Sequence, residues 1–515
     1  MKPIRLLAGV LTVGFWTLAS RVLGLVREIA LLGLIGPGPV LDAFVAAFRL
    51  PNLFRRFFAE GAFNAAFVPM FSKRLEAEDD PLGFARDALS GLGFVLLILT
   101  AVALIFMPAL VYATAGGFAG DERFDLTVGY GRIVFPYILF ISLAALLSGA
   151  LNAAGHFAAA AAAPVFLNVF VITAMLAADA MGGAAITALV WAIPVAGIAQ
   201  LALVWIAADR AGIRIRPKRP VWSPEMKHLV AVAVPAALAG GVMQINLLVG
   251  QQVASNFEKA VSWLYAADRL YQLPLGVVGI AVGIVLLPDL SRRLKAGDDA
   301  GGQHALSRAG EVSLTLTLPA AVALIVIPMP VVSVLFQRGA TGPDDVAAIA
   351  TATAIYGLGL PAFVLQKVYQ PLFFAREDTR TPFRYAAVSM VINAALAIGL
   401  APVLGWVAPA IATTAAAWAM VWLLSRGSRG MGEVARFDDR FRSRAWRIVL
   451  ASLAMGVVLW VTTIVIGGAL AAPGWRYLAL LALVTIGIVS FAWIGQALGA
   501  FRLAEFRAAF RRKRT

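Results

Sequence analysis

Six arginines lie inside runs of apolar residues: Arg21 and Arg27 in the first run, Arg49, Arg55 and Arg56 in the second, and Arg269 in another far along the 515-residue chain. On insertion scales an arginine at a bilayer centre costs about 2.5–3.5 kcal/mol, so four or more facing lipid near mid-depth would cost on the order of 10 kcal/mol. They must therefore face water, a partner or a ligand inside the protein. Four acids, Glu28, Asp42, Glu60 and Asp268, share these runs. The charges could form static ion pairs, but the excess of arginine favours an anionic ligand. Phosphate suits it best, because a guanidinium fork grips two oxygens at once and stays charged at any physiological pH.

Asp42, Arg49, Asn52, Arg56 and Glu60 recur at spacings of seven, three, four and four residues, which places them on one stripe of a helix with Arg55 on its flank. Counting away from a turn at residues 36–39 puts Arg27 level with Arg49, and Arg21 level with Arg55 or Arg56. A helix entering near residue 260 brings Arg269 to the depth of Arg49. Lys367, beside Gln366 within another apolar run, either joins the same interior or snorkels to the surface. Catalysis finds little support. His156, His228 and His304 are far apart and lack neighbours at metal spacing, there is no cysteine, and no phosphate loop of a nucleotide hydrolase is present. No metal or cofactor is expected, and the pattern is that of a transporter rather than an enzyme.

The elements that must carry these residues are membrane helices. With 61% hydrophobic and 14% charged residues and a mean hydropathy of +0.85, the chain lacks the polar surface to coat a soluble globule. Apolar stretches long enough to cross about 30 Å point to helices rather than to a barrel. Charged and Pro/Gly-rich breaks divide them into fourteen spans, near residues 4–35, 41–72, 86–115, 128–153, 158–179, 183–208, 226–255, 260–290, 308–336, 345–375, 382–404, 406–425, 445–470 and 474–499. Leu6 to Leu18 read as the start of a retained first helix rather than a signal peptide, since the apolar run continues past Arg21.

Six cations between Arg210 and Lys227, seven between Arg426 and Arg447, and a basic tail mark one face of the membrane, so an even span count places both termini in the cytoplasm. This topology explains the net charge of +15 better than nucleic-acid binding does, though the tail would also meet anionic lipid headgroups. Arg123, Lys259, Arg338 and Arg476 stand out as cations on the opposite links, and Asp121, Glu122, Asp125, Asp344 and Asp345 read as solvated loop charges.

An internal repeat is visible. Ala46-Ala47-Phe48-Arg49-Leu50 matches Ala266-Ala267-Asp268-Arg269-Leu270, and the segment from Val68 to Leu75 matches that from Leu287 to Leu294, at offsets of 220 and 219 residues. The expected fold is an all-α polytopic membrane protein with two six-helix lobes in a parallel repeat around a central cavity, plus two C-terminal helices. The lobes would cover residues 1–212 and 213–430, and residues 431–515 would hold the last two helices and the tail.

Four segments carry a resemblance: SRVLGLVRE at 20–28, DAFVAAFRLPNLFRRFFAEGAFNAAFVP at 42–69, FPYILFISLAALLSGALNAAGHF at 135–157 and VSWLYAADRLYQLPLGVVGIAVGIVLLPDLS at 261–291. In these the chain resembles the MurJ (MviN) lipid II flippases, of the multidrug/oligosaccharidyl-lipid/polysaccharide exporter superfamily. The resemblance implies a multi-pass protein of the bacterial inner membrane that moves lipid II, the undecaprenyl-pyrophosphate-linked peptidoglycan precursor, to the outer leaflet. It implies substrate-contacting arginines at Arg21, Arg27, Arg55 and Arg269, selecting Arg55 where periodicity left Arg55 and Arg56 open, with Asp42 and Glu60 as further charged positions. Ser20, Arg49, Asn52, Asp268 and Lys367 complete the candidate set. Helices thirteen and fourteen would hold the lipid tail. Sodium coupling, known in some members, is not expected here, because spans seven and eleven lack buried carboxylates. The competing readings are an exporter of another polyprenyl-linked saccharide and a membrane glycosyltransferase.

Overall fold

A computed structural model describes the backbone of residues 6–58 and 62–501, and within it the side chains of all but 6–11, 56–58, 62, 65, 235–247, 273, 277–285 and 287–288. No strand occurs among the described residues. The chain opens with α1 (Leu6–Leu34), turns at Gly36, where a φ of 73° favours glycine, and returns as α2 (Pro39–Phe58) and α3 (Ala62–Ala77). There follow α4 (Pro81–Ile105) with α5 (Met107–Ala115), α6 (Glu122–Val134) with α7 (Tyr137–Ala153), α8 (Ala158–Ala180) and α9 (Ala185–Arg210). A second series comprises α10 (Pro224–Ala254), α11 (Ala260–Lys295), α12 (Asp299–Val326) with α13 (Pro328–Phe336), α14 (Pro343–Phe374), α15 (Arg380–Leu404) and α16 (Ala408–Ser428). The described chain closes with α17 (Asp439–Val465), the short α18 (Gly467–Ala471) and α19 (Trp475–Ala497).

Helix thus occupies every one of the expected intervals. Among the described residues, nine helical stretches are long and apolar enough to cross a membrane by length and composition. The polar helix α2 is not one of them, since Asp42, Arg49, Arg55 and Arg56 all fall within its 20 residues. The two series also correspond in their irregularities. α4 breaks at Phe106 ahead of α5, and α12 breaks at Ile327 ahead of α13; both short helices carry proline in the first turn, where its missing N–H has no helical partner anyway. The starts of α5 and α13, and of α9 and α16, lie about 220 residues apart, close to the offset of the sequence repeat.

Large apolar side chains point outward along much of the fold: Phe94, Leu97, Ile98 and Ile105 on α4, Trp191 and Ile198 on α9, and Trp460, Ile464, Leu481, Ile488 and Trp493 on α17 and α19 are all exposed. In water such patches would drive association; against acyl chains they are at home. Inside, small residues such as Ala85, Ala88, Ala163, Ala196 and Ala208 let helix backbones approach closely.

By its contacts the chain forms two compact units, Met1–Ser262 with Arg338–Thr341, and Trp263–Gln337 with Gly342–Thr515. This division follows packing and groups α10 with the first series, whereas the duplicated sequence would divide the chain after residue 212. In the first unit, stacked rings of Phe67, Phe71 and Phe84 lie in a core that also takes Met226 and Leu229 from the foot of α10. In the second, Leu286, Val368, Leu372 and Leu424 knit α11, α14 and α16 together, and Ile448, Met455, Leu459 and Leu483 join α17 to α19.

A charged knot anchors that last pair. Glu311 of α12, almost buried, accepts from Arg308 and lies 3.5 Å from Arg440 and 3.4 Å from Arg444 of α17. Arg308 also donates to Asp438 at 2.5 Å, and Asp438 caps α17 by accepting from the Phe441 N–H. Burial alone would raise the Asp438 carboxyl, but the Phe441 N–H and the Arg308 guanidinium outweigh it and hold it below the ordinary carboxylate range. Its stabilising contribution is therefore complete above that range and declines as the pH drops through the lowered value. Because one nearly buried carboxylate serves three guanidinium groups, two of them partly buried, Glu311→Ala removes an acceptor they share and is expected to lower the melting temperature in detergent by several degrees. A melting curve superimposable on that of the parent would remove the knot from the forces holding α17 to α12.

Candidate functional site

Ser20, Gly24 and Arg27 are spaced four and three residues apart on α1, so they share one face, and that face lies against α8. Arg27 donates from Nη1 to Oδ1 of Asn168 on α8 at 3.0 Å and from Nη2 to Oε1 of Glu28 at 2.6 Å. Asn168 in turn donates from Nδ2 to the Ser20 carbonyl at 3.0 Å. Gly24 lies between Ser20 and Arg27 on this face, and a Cβ there would stand 4.0 Å from the Asn168 amide, in ordinary contact. Two of the expected site residues, Ser20 and Arg27, are thereby joined through a third that periodicity within α1 and α2 could not reveal, because it lies 141 residues from Arg27.

Arg21 of α1 and Arg49 and Arg55 of α2 are partly buried. Asn52 turns its amide back to the Phe48 carbonyl at 3.0 Å. Glu60 lies outside the described residues, as does the side chain of Arg56. In the second unit, Arg269 of α11 sits with its guanidinium carbon 4.5 Å from the centre of the Tyr265 ring, a cation–π contact that offsets part of its desolvation. Asp268 accepts from Gln272 one turn on, and partly buried Lys367 follows Gln366, which ties α14 to the Ala417 carbonyl of α16 at 3.0 Å.

Asp42 belongs to a different cluster. It is fully buried where α1 turns into α2, and accepts from both the N–H and the hydroxyl of Ser262, the former at 2.8 Å. Arg123 approaches its other oxygen at 3.7 Å, lies over the Phe118 ring at 4.4 Å, and donates twice to Asp121, at 2.9 and 2.6 Å. Burial would raise the Asp121 carboxyl, yet the Arg123 hydrogen bonds prevail and lower it. The same end of the unit is closed by backbone contacts. The Gly117 N–H donates to Ser255 Oγ at 3.0 Å, the Ala340 N–H to the Gly33 carbonyl at 2.9 Å, and a Cβ on Gly117 would come within 2.5 Å of the Asn256 nitrogen. Two expectations are corrected here. Arg123 is not a stray loop cation but a buried hub, and Asp345 is not a solvated loop charge but buried, accepting from the Trp263 indole at 2.9 Å and from the Gly342 N–H at the start of α14, whereas Asp121 is exposed as expected while pairing with Arg123.

A family model described as lipid II flippase MurJ matches residues 32–485 of this chain. The probable lipid II flippase MurJ of Rhizobium meliloti is 44% identical over 511 residues, covering 97% of this chain and 95% of its own length. The chain belongs to the lipid II flippase MurJ family. It is 46% identical over 415 residues to the Rhizobium tropici member, with 79% of this chain and 78% of the relative covered, and 35% identical over 402 residues to that of Burkholderia cenocepacia, with 76% and 77% covered. A solved structure of lipid II flippase MurJ in an inward closed conformation shares the fold, with a TM-score of 0.79 at 24% identity over 94% of this chain and 98% of that one. So does a multidrug resistance MATE family transporter of the MOP superfamily in an inward-facing conformation, with a TM-score of 0.68 at 17% identity over 81% of this chain and 95% of that one. Family membership makes the chain a transporter, not an enzyme, and a multi-pass protein of the inner membrane.

The Asp42 cluster carries a test of its own. Asp42→Ala strands the Ser262 donors and leaves Arg123 with one carboxylate fewer, a loss of about 3–5 kcal/mol for a fully buried pair. Asp42→Asn keeps an acceptor for the Ser262 N–H and is expected to lose less. Thermal unfolding of the two purified variants checks the order, and equal melting temperatures would contradict it.

Proposed function

We propose that this chain carries lipid II from the cytoplasmic to the periplasmic leaflet by alternating access, for cell-wall synthesis. The observation that carries the reading beyond family membership is Arg27, held within apolar helices by a carboxylate and a buried amide rather than released to the surface. Arg21, Arg27, Arg49, Arg55 and Arg269 act as donors to the pyrophosphate. Ser20, Asn52, Asp268 and Lys367 contribute polar contacts and Glu60 balances the charge, while Asp42 neutralises Arg123 in its own cluster. Guanidinium groups replace the water that phosphate oxygens lose on leaving the cytoplasm, while the polyprenyl tail stays in lipid beside α17 and α19. A drug antiporter would want an excess of acid here, and a glycosyltransferase would need acids free for chemistry, whereas Asp121 and Asp345 are engaged in structural bonds.

The lobes that rock are the two halves of the repeat, residues 1–212 and 213–430, with residues 431–515 appended. Both termini face the cytoplasm, so the Asp42 cluster lies toward the periplasm. Because one elementary charge moved through 100 mV is worth about 2.3 kcal/mol, the membrane potential biases the loaded or the return step.

Depleting the protein in cells and measuring which leaflet holds lipid II tests the reading. The precursor is expected to accumulate in the cytoplasmic leaflet, and undiminished outward transfer would reject the proposal. Arg21→Ala and Arg269→Ala are each expected to abolish complementation while the protein still inserts at normal abundance; normal growth with either would remove that residue from the site.

A further inference from the structure

Asn168 lies on α8, away from the charged stripes of α1 and α2, and only 5% of it is exposed. An amide buried this deeply in an apolar helix is costly unless both its ends are satisfied. Here they are, in opposite senses. Oδ1 accepts from Arg27, and Nδ2 donates to the Ser20 carbonyl at 3.0 Å, with the Ser20 hydroxyl and the Pro164 carbonyl each at 3.5 Å. The chemistry fixes which way the amide points: turned over, it would set its NH2 against a guanidinium and its oxygen against carbonyl oxygens. Neither aspartate nor leucine reproduces both contacts, the first lacking a donor toward Ser20 and the second lacking both groups.

The contact also fixes the arginine. Side chains on a helix lean toward its N-terminus, so the Arg27 guanidinium reaches back toward the level of Gly24, where Asn168 meets it from α8. One Nη is held by Asn168 and the other by Glu28, so two different nitrogens define the plane of the fork. The arginine side chain keeps 16% of its surface open while Glu28 keeps 4%. A phosphate can therefore reach the arginine, and the amide stands behind it. We propose that Asn168 is a positioning residue for lipid II binding, setting the orientation in which Arg27 meets the pyrophosphate and referencing it to the α1 backbone at Ser20. This rests on the reading of Arg27 as a pyrophosphate ligand.

A double-substitution cycle separates positioning from mere attachment of α1 to α8. The dissociation constant for lipid II is measured in detergent for the parent, Asn168→Leu, Arg27→Lys and the double variant, each at matched folded fraction. Because a hydrogen bond to a charged group is at stake, Asn168→Leu is expected to weaken binding about tenfold in the parent and about twofold or less once Arg27 is lysine, which has no fork to orient. Undecaprenyl pyrophosphate without the sugar-peptide should show the same collapse, since the effect acts on phosphate. Equal factors in both backgrounds would mean that Asn168 only joins helices and would overturn the proposal. An Asn168→Leu affinity equal to the parent's, with Arg27→Lys weakened, would overturn it too but leave Arg27 in the site; unchanged binding in Arg27→Lys would reject both. If the leucine variant fails to fold, Asn168→Ser, whose hydroxyl is too short to span the two contacts, gives the same readout.

Discussion

Stripping water from a guanidinium is the cost around which this molecule is organised. In a low-dielectric interior a bare charge is untenable, so every buried arginine must be met by an acid, an amide, a carbonyl or a ring. The described structure shows several solutions. Arg27 takes a neighbouring carboxylate and a buried amide, Arg123 two carboxylates and a phenyl face, Arg308 two carboxylates, and Arg269 a tyrosine ring. These solutions differ in what they leave over. Arg123 sits in the first turn of α6 and Arg308 meets the cap of α17, both among acids in close supply, a balance suited to holding elements together. Arg27 meets the Glu28 carboxylate and the neutral Asn168 amide, the setting in which we propose that it binds the pyrophosphate.

The same constraint explains the division between polar and apolar helices. α4, α9, α17 and α19 present leucine, isoleucine, valine and tryptophan outward and need nothing more than lipid. α1, α2 and α11 carry charge and must be enclosed, and small residues make that enclosure close. Gly117 admits the backbone at Asn256, which a Cβ would meet at 2.5 Å. Packing between such helices is therefore as much a matter of what is missing from the side chains as of what they contain.

Much of this was legible in the sequence. Hydropathy and breaks located most of the helical intervals to within several residues, because a length of about 20 apolar residues is dictated by bilayer thickness rather than by tertiary context, although α12 begins at Asp299, well before the expected 308. The repeat was legible too, and the paired irregularities at Phe106 and Ile327 extend it. Partnerships across helices were not. Helical periodicity reports which residues share a face of one element and is silent on what that face meets, so Asn168 escaped notice among the apolar residues of α8. Arg123 looked like a loop charge because its partners, Asp42 and the Phe257 carbonyl, lie 81 and 134 residues away in sequence. Asp42 itself was correctly singled out as a buried charge, but its bonds to Ser262, 220 residues on, place it at the closed end of the first unit rather than beside Arg27.

The most direct test is transfer by the purified chain in a membrane of defined composition. Reconstituted into vesicles with fluorescent lipid II, the parent protein is expected to expose inner-leaflet headgroups to an impermeant external quencher, and the Arg27→Ala protein, at equal incorporation, to do so far more slowly. Transfer at the same rate with and without the Arg27 guanidinium would contradict the view that this arginine is held inside the helices to meet a pyrophosphate.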